Sequence, residues 1–209
     1  MNFITMLSLI LATSLSSFAN FSPYPGFERL PENHIEMVNF FEARKLALVY
    51  LQKVEKADQE FSEGERKVFG FAREKLIAAR VYFSANPLNS SCRDTRGYVD
   101  QKIKDTIFIC EAMRKDLQEP SKDLLQDLAQ DLLHEVAHLL GTDDECTATN
   151  FELMIMKSAV GNAKPTSLNA YGEQCGGFNE YRYLTKNRHG ADRTSSTSDK
   201  SNKGSRSSR

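Results

Sequence analysis

From about His34 to Asp58 the apolar residues recur at helical spacing, at Ile35, Val38, Phe41, Leu48, Leu51 and Val54, and predict a long helix. A second helical pattern runs from Glu63 to about Phe83 through Val68, Phe71, Leu76, Ile77 and Val81, and stops before the turn-rich "SANPLNSS". The period then shortens. In "GYVDQKIKDTIFIC" two short runs rich in β-branched and aromatic residues, Gly97 to Val99 and Thr106 to Cys110, predict the strands of a small hairpin. Ser121 is placed to cap a helix through "KDLLQDLAQDLLHEVAHLL", and Gly141 to end it. Thr142 starts another helical run, "DDECTATNFELMIMKSAV", which Gly161 closes. The pattern predicts a mainly α fold with a small β-hairpin, an α+β domain.

Both ends of the chain depart from this pattern. Residues 1–19 read as a secretory signal peptide: Ile4 to Leu15 form a short apolar run, and Ser17-Phe18-Ala19 puts small residues where a signal peptidase reads them. The run is too short for a permanent membrane span. After it, "NFSPYPGFERLPEN" has three prolines and no periodicity, an extended lead-in. Residues 20–60 are open as a pro-segment, although nothing marks a cleavage site. From Lys186 the chain has no large apolar residue and carries seven Lys or Arg against two Asp, which predicts a disordered basic tail over 186–209. The domain assigned to 20–185 is long enough for one core. A net charge of −1 over 209 residues offers no global field for nucleic acid or an anionic membrane.

Export changes the reading of the four cysteines. An even count in an oxidising compartment suggests two disulfides, and Cys92–Cys110 with Cys146–Cys175 is favoured because each pair flanks a compact segment. Each such loop stabilises by about 3 kcal/mol in the chain-entropy model.

The chemistry concentrates in "LLHEVAHLLGTDDEC". His134 and His138 are four apart on a strongly helical segment, so both imidazoles lie on one face, one turn apart. Two imidazoles so placed can share one zinc ion at about 2.0–2.1 Å. Glu135 lies beside them, rotated off the ligand seam, where it can take a proton from water and return it to a leaving amine. This is the HExxH arrangement. A catalytic site needs a third ligand, and the acids Asp143, Asp144 and Glu145 are the candidates. The same acids suit a helix N-terminus, with Thr142 and Glu145 in capping-box spacing.

More than the motif matches a known group. The order Cys92, Thr95, Tyr98, Val99, then Ile107 and Cys110, then His134-Glu135 and His138, then Gly141-Thr142-Asp143-Asp144 resembles the aspzincins, the deuterolysin and lysine-specific metalloendopeptidase group of zincin metalloproteases. The resemblance covers roughly residues 90 to 145. It implies a minimal zincin-like domain with His134, His138 and Asp144 as zinc ligands and Glu135 as base. Asp144, six past His138, also sits where metzincins place a third ligand. The continuation "ECTATNFELM" resembles the gluzincins instead, whose third ligand is a Glu opening an E-x-x-A helix, and it nominates Glu145, followed by Ala148.

The expected function is a secreted or periplasmic zinc-dependent endopeptidase, a monomer acting on protein or peptide substrates, with no nucleic-acid partner. Two alternatives stay open: a non-catalytic exported zinc-binding protein, and a zinc amidase acting on cell-wall peptide. Tyr171 is a weak candidate for an oxyanion partner, and Met154, at helical spacing with Phe151 and Ile155, reads as core.

Overall fold

The computed structural model describes residues 22–93 and 95–161. The signal segment, the basic tail, Tyr171, Cys175 and His189 lie outside the described residues. The elements run β1 (Phe27–Glu28), α1 (Ile35–Glu55), α2 (Glu63–Ala78), β2 (Arg80–Ser84), β3 (Gly97–Tyr98), β4 (Thr106–Ile109), α3 (Glu111–Gln118), α4 (Lys122–Leu139) and α5 (Glu145–Val160). The mainly helical α+β class is as the sequence predicts.

Helix α1 packs against the other four helices, and so lies at the centre of the core. Its buried face is Met37, Phe40, Ala43, Ala47, Leu51 and Val54. The predicted stripe holds only in the second half, since Ile35, Val38 and Phe41 are exposed. The helix is apolar on more than one face, and the alanines decide which face turns inward, because they admit a neighbouring helix closely. A helix so placed is integral to the core.

The second predicted helix ends early. Ser62 opens α2 with a capping box, its hydroxyl accepting from the Glu65 amide while Glu65 accepts from the Ser62 amide. At the other end the Arg44 guanidinium donates to the Leu76 and Ile77 carbonyls and terminates the helix at Ala78. "RVYFS" then forms strand β2 and not a helical turn. Val81 and Phe83 face the helices, and Tyr82 joins Phe27 and Phe108 on the opposite face. Alternation buries both sides of this β-branched and aromatic run, which a helix ending here would leave half exposed.

The predicted hairpin is real but is part of a larger sheet, in the order β1-β2-β4-β3. Strand β4 pairs antiparallel with β3, Tyr98 opposite Phe108, and parallel with β2, Tyr82 opposite Phe108. Helix α3 was not predicted; Met113 and Leu117, one turn apart, bury its inner face. From it Arg114 reaches the Glu36 and Glu28 carboxylates and the Ser84 carbonyl, tying α3 to α1, β1 and β2. Cys92 and Cys110 form a disulfide with Cα atoms 5.3 Å apart, as the spacing suggested. Cys146 is also disulfide-bonded; its predicted partner, Cys175, lies outside the described residues. No helix among the described residues is long and apolar enough to cross a membrane.

Candidate metal centre

Helix α4 starts as predicted, with the Ser121 hydroxyl accepting from the Leu124 amide at 3.2 Å. Leu132, Leu133, Val136 and Leu139 anchor it in the core. That orientation leaves His134 and His138 on the flank shared with α5. Gly141, at φ +98°, lets the chain reverse directly after the motif. Helix α5 then packs back across α4.

The cap of α5 separates the candidate third ligands. Asp144, not Thr142, is its N-cap, and its carboxylate accepts from the Thr147 amide at 3.0 Å. The Thr142 hydroxyl instead accepts from the Asp144 amide at 3.3 Å. Glu145 is the first helical residue, and its longer side chain reaches the histidines: Oε2 lies 3.0 Å from His134 Nε2 and Oε1 3.5 Å from His138 Nε2. The ligand atoms of His134, His138 and Glu145 all lie within 4.8 Å of one another. The structure therefore brings Glu145 to the imidazoles and commits Asp144 to the helix cap. Asp143 is exposed on the cleft wall and is not in the cluster.

Two further residues complete the arrangement, and the sequence reading missed both. The Glu152 carboxylate, two turns after Glu145 on α5, lies 3.0 Å from His134 Nδ1. Gln130, one turn before His134, donates to the other Glu152 oxygen at 3.0 Å. Both are polar residues in otherwise apolar runs, and both are buried. That placement, with Glu152 seven positions past Glu145, is the signal that could have found them. His138 Nδ1 faces the Thr142 carbonyl at 2.8 Å.

These contacts decide the electrostatics. Each Nδ1 faces an acceptor, so the tautomer protonated at Nδ1 satisfies both rings. The two Nε2 lone pairs then meet 3.2 Å apart beside a carboxylate. Three acceptors converging on one point repel each other unless a cation sits among them. The pKa values express the same demand. Burial works against charging His134, yet hydrogen bonds to Glu145 and Glu152 outweigh it and raise its pKa to about 10. The same histidines hold the Glu145 carboxyl well below its ordinary range. Nitrogen and oxygen donors in this number fit zinc.

Glu135 is 6% exposed, and among the described residues its Oε2 has no hydrogen-bond partner. Burial pushes its pKa up to about 7, against the pull of the two histidines. It faces an open cleft of about 520 Å³ walled on one side by Gly97, Tyr98 and Val99. A β-carbon at Gly97 would lie 3.1 Å from the Phe108 carbonyl oxygen, so glycine allows the close pairing with β4, while its 3.9 Å to Glu135 Oε1 is an ordinary contact that places the strand beside the acid.

No protein-family model, curated protein or solved structure matches this chain. The functional reading rests on the site itself.

Proposed function

We propose that the protein is an exported zinc-dependent endopeptidase in which His134, His138 and Glu145 hold the ion and Glu135 is the general base. The observation that carries this reading is the convergence of both Nε2 atoms and the Glu145 carboxylate on one point, with each Nδ1 held by a separate acceptor. A bound zinc ion would polarise the scissile carbonyl and acidify adjacent water. Glu135 takes a proton from that water and delivers it to the leaving amine; a pKa near 7 suits both transfers. Glu152 and Thr142 hold the imidazole rings in the binding tautomer. Strand β3, at the sheet edge among the described residues, lines the cleft and offers backbone groups to an extended peptide.

Among the described residues the candidate ligand set has three members, the number a catalytic zinc site takes from protein. The apolar run before Ser17-Phe18-Ala19 and the Cys92–Cys110 disulfide support export.

The test is metal content of the purified mature protein together with chelator-sensitive cleavage of a denatured-protein mixture. Glu145→Gln should bind zinc far more weakly, whereas Asp144→Asn should lose only a cap worth about 1 kcal/mol. Stoichiometric zinc with no cleavage of proteins or of cell-wall peptide would leave a binding protein. Cleavage confined to cell-wall peptide would make it the amidase.

A further inference from the structure

The cleft has two walls of unequal stiffness. One is α4 and α5, fastened by core residues along their length. The other is β3, which is only two residues long and, among the described residues, pairs with β4 alone. Two ladder positions, Gly97 opposite Ile109 and Tyr98 opposite Phe108, hold a strand weakly, and such an edge opens readily. Yet the distance from this strand to Glu135 is what a bound peptide would have to match.

Both ends of β3 are tied to the opposite wall by side chains with no part in the metal centre. Arg96, directly before the strand, lies between two helices and makes charge contacts without hydrogen-bond alignment: Nε is 2.8 Å from Asp131 Oδ2 on α4, and Nη2 is 2.7 Å from Asp116 Oδ2 on α3. Asp131 is one turn before Glu135. Gln101, three residues after the strand, donates from Nε2 to the Thr142 carbonyl at 3.1 Å. That carbonyl is the acceptor that also faces His138 Nδ1. One tie therefore ends on the helix carrying Glu135, and the other on the acceptor that orients a histidine. The Cys92–Cys110 disulfide fixes the chain four residues upstream of Arg96, and the Cys110 amide donates to the Arg96 carbonyl at 2.8 Å, so these hold the strand to β4 but not to the helical wall.

We propose that Arg96 and Gln101 are positioning residues that set the width of the cleft by anchoring the two ends of β3, one to the helix carrying the histidines and the other to the turn that follows it. The functional part of this inference rests on the endopeptidase reading; the anchoring itself does not. Arg96 is suited to its place because its planar fork spans two carboxylates, which a lysine ammonium does not do.

The experiment uses the full mature chain and two readouts. Hydrogen exchange of the 96–101 segment needs no turnover. Arg96→Ala and Gln101→Ala should each speed it about tenfold, and the double variant further, while the α4 amides stay as in the parent. In peptide cleavage, Arg96→Ala should raise KM about tenfold with kcat within about threefold, at unchanged zinc content, and Arg96→Lys should recover part of the loss. If Arg96→Ala does not fold, Arg96→Lys and Gln101→Ala carry both measurements. Exchange in the double variant within twofold of the parent overturns the anchoring. Faster exchange with unchanged kcat and KM overturns the positioning role, as does loss of zinc in step with the exchange. A parent that binds zinc but cleaves nothing defeats the endopeptidase reading and the positioning role built on it, and leaves the exchange result to decide the anchoring.

Discussion

Two of the buried glutamates in this molecule stand in opposite circumstances. Glu36, 3% exposed near the start of α1, accepts from Arg114 at 2.7 and 3.3 Å and from Gln118 at 3.2 Å. Glu135, 6% exposed on α4, has no partner for Oε2 among the described residues. A buried carboxylate costs several kcal/mol unless it is paired. The pairing at Glu36 offsets that cost and joins elements distant in sequence. At Glu135 the cost stands, expressed as a pKa raised by burial to about 7. Burial alone therefore does not mark a functional acid. Burial facing a cleft beside two convergent imidazoles is what singles out Glu135 as the proposed base.

Substitution at the two positions should separate function from stability. Glu135→Gln should lower kcat by about 10³–10⁴-fold, the range expected for a general base, with zinc content and melting temperature near the parent's. Normal cleavage by this variant would mean that Glu135 is not the base. Glu36→Ala should do the reverse. It strips Arg114 of its main partner and should cost about 3–5 kcal/mol in denaturant unfolding, while the folded fraction keeps the parent's kcat.

Glu152 tests a third circumstance, a buried acid whose partner is a histidine. Glu152→Gln should weaken zinc binding about 10–100-fold in a competitive chelator titration, because His134 loses the carboxylate that holds its ring and tautomer. An unchanged affinity would reduce Glu152 to a packing residue.

The smallest effect expected is on the pH dependence of the metal-free protein. The folded pKa of His134, about 10, lies above its ordinary 6.5, so its contribution is full below 6.5 and is lost as pH rises toward 10. Glu135, raised from 4.5 to about 7, acts in the same direction between those values, since the folded state holds the proton more tightly. The chelated protein should therefore melt a few degrees lower at pH 9 than at pH 6, and zinc should flatten the slope by replacing the proton. A chelated protein more stable at pH 9 would contradict the charge arrangement drawn for the site.

Much of this was legible along the chain, and the misses are specific. The helices of the motif, the strands flanking residues 100–105 and the Cys92–Cys110 pair follow from period, caps and spacing, all local properties. The end of α2 was not legible, because Val81 and Phe83 continue a helical period and also suit a strand, and only their burial beside β4 decides between the two. The buried stripe of α1 was not legible either, because Ile35 and Val38 are as apolar as Met37 and Phe40.

The candidate site divides in the same way. The sequence alone determined His134, Glu135 and His138 as one constellation, since three residues on one helix keep a geometry set by 3.6 residues per turn. It also narrowed the third ligand to neighbouring acids. Only the tertiary structure decided that Glu145 faces the imidazoles while Asp144 caps α5, that Glu152 and Gln130 stand behind His134, and that Gly97 brings a strand against Glu135. Those relations depend on how α5 and β3 pack across α4, and a contact between separate elements leaves no period in either one.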